Sequence, residues 1–132
     1  MFESELKVHK LFISHIGENE KEYDLINEKL SSAHEFEYKN FSILKKDKLE
    51  EKELQKQIES ANVVIILSGL YNNYNNIIKN QIDISMKLNK PIIVIRPYGM
   101  EDVPPELEEI AAEVIGWNAP CVIDAIEENY LE

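Results

Sequence analysis

Two runs in this sequence leave no side for water: Asn62-Val63-Val64-Ile65-Ile66-Leu67 and Pro91-Ile92-Ile93-Val94-Ile95. Strands that are apolar on both faces belong in parallel sheets with helices packed above and below. A third run, Lys10-Leu11-Phe12-Ile13, ends at Ser14-His15-Ile16-Gly17. Weaker candidates lie at Phe36 to Ile43 and at Val114-Ile115-Gly116-Trp117. The segments between them have helical period. Tyr23, Ile26, Leu30 and Ala33 mark a helix over Glu18–Ala33, and Leu54, Ile58 and Ala61 mark one over Lys48–Ser60. Ile78, Ile82, Ser85 and Met86 share a face in Asn75–Asn89. Val103, Leu107, Ile110, Ala111 and Val114 mark a fourth helix opened by Pro104-Pro105. Asn118 caps a fifth, with Val122, Ile126 and Tyr130 on one side. Such alternation predicts an α/β fold: a five-stranded parallel sheet with helices on both faces. The 132 residues suffice for one domain, 1–132, with its core at about residues 9–131.

In doubly wound sheets, ligands sit beyond the carboxyl ends of the strands. That rule selects Ser14 to Gly17, Phe41-Ser42-Ile43, Ser68 to Tyr74, Arg96 to Gly99 and Gly116-Trp117-Asn118. Several chemistries are absent there. The sequence has no GxxxxGK[ST] loop and no GxGxxG after the first strand. A phosphoacceptor receiver needs a carboxylate pair after the first strand and an Asp ending the third, where this chain has Ser14-His15 and Ser68-Gly69. His9, His15 and His34 are scattered without HxxxH or HExxH spacing, and the one cysteine, Cys121, makes neither a disulfide nor a zinc site, so no metal is expected. His9 and His34 read as surface residues, whereas the first strand aims His15 at the predicted site.

Charge narrows the partners. Residues 1–96 carry 14 Lys+Arg against 15 Asp+Glu, while the last 36 residues carry ten acids and no Lys or Arg. That distribution gives no basic footprint for nucleic acid. The acidic third reads as a solvated face, or as a docking surface for a basic partner. No apolar run approaches the ~20 residues of a membrane span, and the N-terminus lacks a secretory pattern, so a cytoplasmic location is expected.

Taken in order, the strand ends resemble a known family. Leu11-Phe12-Ile13-Ser14-His15 resembles the opening strand of TIR and TIR-like domains, and Ser60 to Ser68 their third strand. Tyr71 to Ile84 and Lys90 to Gly99 resemble the following helix, strand and loop. Gly116-Trp117-Asn118 with Ile123-Asp124-Ala125-Ile126 is similar to the bacterial group that includes the Thoeris anti-phage TIR subunits. The resemblance runs from about Lys10 to Ile126 and implies a flavodoxin-like fold. It implies NAD+ as a substrate, with no resident cofactor, cleaved at the nicotinamide–ribose bond. The expected product is an ADP-ribose-derived signal that switches on a separate effector protein in response to phage, a phage protein being one trigger. Self-association through TIR–TIR contacts is also implied.

The family's catalytic glutamate lies in the helix after the third strand, where this chain reads Asn80-Gln81-Ile82-Asp83, so Gln81 stands at the expected position. A carboxylate there stabilises the positive charge that builds on ribose as nicotinamide leaves. Glutamine keeps the shape and the hydrogen bonding but has no charge, a loss on the order of 10²–10⁴-fold in rate. Two accounts fit: an isosteric inactivation of an enzyme, or a member that works by assembly alone. A nucleoside deoxyribosyltransferase-like enzyme is a third reading, which also needs a glutamate there. Asp83 is a poor substitute, since positions two apart point about 200° away on a helix. Without the resemblance, Gln81 reads as an exposed helix glutamine.

The remaining candidates are substrate-binding. Ser14, His15 and Ile16 lie where the family's first loop covers the nucleotide. Ser42 and Ser68 end the second and third strands; each either bonds ribose or phosphate or caps a turn. Tyr71 and Tyr74 flank an Asn-rich stretch that reads as the loop and N-cap before the Gln81 helix, and either tyrosine stacks on a base or packs in the core. Arg96 meets the pyrophosphate or pairs with nearby acids. Trp117 is a lid or a core plug.

Overall fold

The computed structural model describes residues 7–17, 20–42, 50–99 and 102–130. Among these residues, five strands form one sheet: β1 (Val8–Ile13), β2 (Glu37–Asn40), β3 (Val63–Leu67), β4 (Ile92–Ile95) and β5 (Glu113–Ile115). The spatial order is β2-β1-β3-β4-β5, and every neighbouring pair is parallel. This is the flavodoxin-like order, and the chain reverses its direction of travel between β1 and β3. The two apolar runs form the buried parallel strands β3 and β4, as expected. Val63–Leu67 are 0% exposed, paired on one side with β1 (Phe12 opposite Val64) and on the other with β4 (Ile65 opposite Ile93).

Among the described residues, six helices connect and cover the strands: α1 (Lys21–Ser31), α2 (Glu51–Ser60), α3 (Ser68–Asn73), α4 (Asn75–Lys87), α5 (Pro105–Ile110) and α6 (Ala119–Asn129). α1 packs beside α6, and α2 beside α4. That is the division right-handed crossovers give when the chain moves first to β2 and then back across the sheet. No helix among the described residues is long and apolar enough to cross a membrane.

Local chemistry accounts for most of the boundaries. Asn118 accepts from the Cys121 N–H at 3.1 Å and opens α6 as expected. Pro105 begins α5. Glu20 caps α1 by accepting from the Glu22 N–H at 2.8 Å. α1 therefore starts at Lys21, and the expected start at Glu18 lies outside the described residues, as do Ile43 and Lys48 of the expected second strand and second helix.

Five expectations are corrected. The fourth helix stops at Ile110, because Ala111 is extended and the Ala112 N–H donates to the Ile92 carbonyl at 2.7 Å. Val114 consequently lies in β5, opposite Val94; sheet pairing overrides its helical spacing. The Asn-rich stretch from Tyr71 is not a loop: through Asn73 it belongs to helix α3, which breaks at Tyr74 (φ −134°, ψ 51°) before α4. Met86 is exposed on α4, whose buried face is Ile78, Gln81, Ile82 and Ser85, with Ile84 beside it. His9 is buried rather than at the surface: its ring stacks on Phe36 at 4.8 Å and meets the edge of Tyr130 at 4.9 Å. His34 is exposed.

Candidate functional site

In doubly wound sheets the chain reversal, here between β1 and β3, marks the crevice beyond the carboxyl ends of the strands that receives ligands, and buried polar residues gather there. Ser14 is fully buried and ties the two strands together. Its N–H donates to the Ile65 carbonyl at 2.9 Å, and its Oγ accepts from the Leu67 N–H at 2.9 Å. Ser68, the next residue after β3, is also fully buried, and its Oγ has no hydrogen-bond partner. A buried hydroxyl left unpaired costs about 1–3 kcal/mol, which makes Ser68 a candidate to meet a ligand's polar atom.

Gln81 reaches this crevice from α4. It is 2% exposed, so the exposed-glutamine reading is excluded. Its amide bonds the main chain of His15 with both ends: Oε1 accepts from the His15 N–H at 3.2 Å, and Nε2 donates to the His15 carbonyl at 2.6 Å. Ser85 Oγ donates to the Gln81 carbonyl at 2.7 Å, one turn along. Gln81 therefore fastens the loop after β1 to α4. Asp83 faces outward instead, where Glu51, Lys52, Asn80 and Lys87 line an open groove of about 440 Å³ between α2 and α4.

His15 is buried between Phe12 and Tyr23, with ring centroids 5.6 and 6.3 Å away. Gly17, at φ +89°, turns the chain back so that its N–H donates to His15 Nδ1 at 3.1 Å. The neutral ring then carries its proton on Nε2. Burial pushes the imidazole pKa below its ordinary 6.5, and the Gln57 side chain opposes this only in part. The sign follows. The unfolded chain takes up a proton near pH 6.5 while the folded ring resists it. The stability His15 contributes is full above pH 6.5 and is lost as pH falls through the lower folded-state value. Between pH 7.5 and 5.5 the melting temperature should fall more for this chain than for His15→Asn; equal slopes would show that His15 is not the group responsible.

The other sequence candidates are distributed more widely. Ile16 is half-buried and packs on the core. Ser42, two residues beyond β2, belongs to a closed ring. Tyr23 OH lies 2.6 Å from Ser42 Oγ, Ser42 donates to Asn40 Oδ1 at 2.7 Å, and Asn40 Nδ2 donates to Tyr23 OH at 2.8 Å. Tyr71 is buried and donates to Glu106 Oε2 at 3.2 Å, which places its hydroxyl against α5. Tyr74 is exposed at the α3–α4 break. The Arg96 side chain is exposed, and among the described residues it makes no ion pair. Trp117 packs on the core, and its Nε1 donates to the Arg96 carbonyl at 2.7 Å, with Tyr98 edge-on at 5.6 Å, as a plug rather than a free lid. Among the described residues, no group of three or more His, Cys, Asp or Glu is placed to hold a metal ion.

One residue of the crevice escaped sequence reasoning. Glu22, in the first turn of α1, reaches across the strand ends, and its Oε2 accepts from the Tyr98 N–H after β4 at 3.1 Å. Its carboxylate lies on Gly69, where a Cβ would overlap both oxygens. The signal was a glycine two residues beyond a buried strand, which marks close approach of another group; the sequence does not say which group approaches.

No curated protein matches the chain. The sequence model of the family described as Thoeris protein ThsB, TIR-like domain, matches residues 12–102, which run from β1 through β4 and include Ser14, His15, Glu22, Ser68 and Gln81. With more than two thirds of the chain matched over the strands that build the crevice, the chain belongs to the Thoeris ThsB TIR-like domain family and has a TIR-family role in anti-phage defence.

Proposed function

We propose that the chain binds NAD+ in the crevice beyond β1 and β3 and cleaves its nicotinamide–ribose bond. The product is an ADP-ribose-derived signal for a separate effector, made in the cytoplasm when phage, for instance through a phage protein, triggers the system. The observation that carries this reading is the orphaned, fully buried Ser68 hydroxyl beside the Ser14 clamp, at the point where this fold receives ligands. Ribose and phosphate oxygens offer the partner it lacks. Turnover is slow, because the side chain at the family's glutamate position is neutral and both ends of its amide are bonded to His15.

The test is incubation of the chain with NAD+ at high protein concentration, with products separated by mass spectrometry. Release of nicotinamide with ADP-ribose or an isomer of it is expected. Absence of nicotinamide release, in dispersed and assembled protein alike, would sink the reading. The commitment of Gln81 to the main chain favours one other reading, a non-catalytic module that recruits partners by self-association. That reading expects concentration-dependent assembly in sedimentation experiments and no NAD+ binding.

A further inference from the structure

We propose that Glu22 is the carboxylate that faces the ribose in this chain, an assignment that rests on the NAD+ cleavage proposed above. Cleavage needs a negative charge beside C1′, and Gln81 supplies none. Among the described residues, other acids nearby have different positions or duties. Glu20 caps α1, Glu106 holds the Tyr71 hydroxyl, and Asp83 faces the outer groove. Glu22 comes from the helix that follows β1, spans the crevice and ends between the first turn after β3 and the loop after β4. It thus joins three strand ends on both sides of the chain reversal.

Its placement is built rather than incidental. The Tyr98 N–H fixes Oε2, Oε1 is buried, and the missing side chain at Gly69 makes the room. Gly69 follows Ser68 directly, so the Glu22 carboxylate lies against the residue next to the orphaned hydroxyl. A ribose bonded to Ser68 would lie beside Glu22.

The chemistry balances without a further reactant. The C1′–N bond breaks and its electron pair neutralises the pyridinium of the departing nicotinamide. The ribosyl cation left behind faces the Glu22 carboxylate. Water adds to C1′ and gives its proton to Glu22, which releases it to solvent. If a hydroxyl or ring nitrogen of the same ADP-ribose adds in place of water, the product is cyclic.

The experiment compares NAD+ turnover by the unaltered chain, Glu22→Gln and Gly69→Ala, each confirmed as folded by circular dichroism. Glutamine can still accept from Tyr98, so the fold is kept while the charge is lost; a fall of about 10²–10⁴-fold is expected. Alanine at Gly69 keeps the carboxylate but pushes it out of place, and should lower turnover at least tenfold. Full turnover by either variant overturns the role of Glu22 while leaving NAD+ cleavage intact. An inert unaltered chain overturns the cleavage reading, and Glu22 with it.

Discussion

Gln81→Leu should destabilise the fold by about 2–6 kcal/mol, because leucine keeps the bulk and abandons two buried main-chain groups. The His15 N–H and carbonyl are both bonded by the Gln81 amide, and His15 is 3% exposed, so water cannot replace the lost partners without opening the loop. Urea unfolding followed by the fluorescence of Trp117 measures the change. A loss below about 0.5 kcal/mol, the range of ordinary surface substitutions, would show that the clamp does not hold the loop. Gln81→Glu gives a sharper result. An ionised carboxylate has only acceptors, and one of its oxygens would face the His15 carbonyl, now 2.6 Å from the amide nitrogen. The protonated acid can restore the donor, so the folded-state pKa must rise above the ordinary value near 4.3. The variant then resembles the unaltered chain below about pH 4 and loses stability as pH rises through that raised value. A stability gap between the two proteins that is the same at pH 4 and pH 7.5 would contradict this. The same reasoning bears on activity: a glutamate restored at this position can serve catalysis only after it leaves His15.

The fold was legible because its central strands have no polar face. Val63–Leu67 and Ile92–Ile95 can be satisfied only between other strands and under helices, and the parallel order followed from the helical segments between them. Legibility failed where period and pairing compete. Val114 fits both a helix face and a strand, and the Ile92 carbonyl decided for the strand. It failed again at α3, where an Asn-rich stretch of low helix propensity is helical. At the site, Ser14, His15 and Ser68 were selected by the strand-end rule alone. Burial of Gln81 was not legible, because a polar side chain on a helix is usually exposed. Glu22 was invisible for a different reason. An acid in the first turn of a helix reads as a partner for the helix dipole, and the sequence holds no trace of its contacts with Gly69 and Tyr98, which only the closed sheet brings together.

A second large effect is expected beneath the site. Phe12 sits next to the carboxyl end of β1, opposite Val64, fully buried and with its ring against His15. Phe12→Ala should cost about 3–5 kcal/mol, combining lost transfer energy with an unfilled cavity. A domain of this size has of order 10 kcal/mol in total, so the loss is a large fraction of it. Val8 provides the internal comparison, since it lies in the same strand but is 46% exposed. Val8→Ala should change stability by about 1 kcal/mol or less. Equal costs at the two positions would mean that strand membership rather than burial sets the energetics of β1, and the core described here would be wrong. If the costs differ as expected, the Phe12 variant should also weaken the His15 pH effect. The cavity admits water beside the imidazole, burial no longer opposes its protonation as strongly, and the stability slope between pH 7.5 and 5.5 flattens. Core packing and the site are coupled through one ring contact, and measuring the slope in this variant tests that coupling directly.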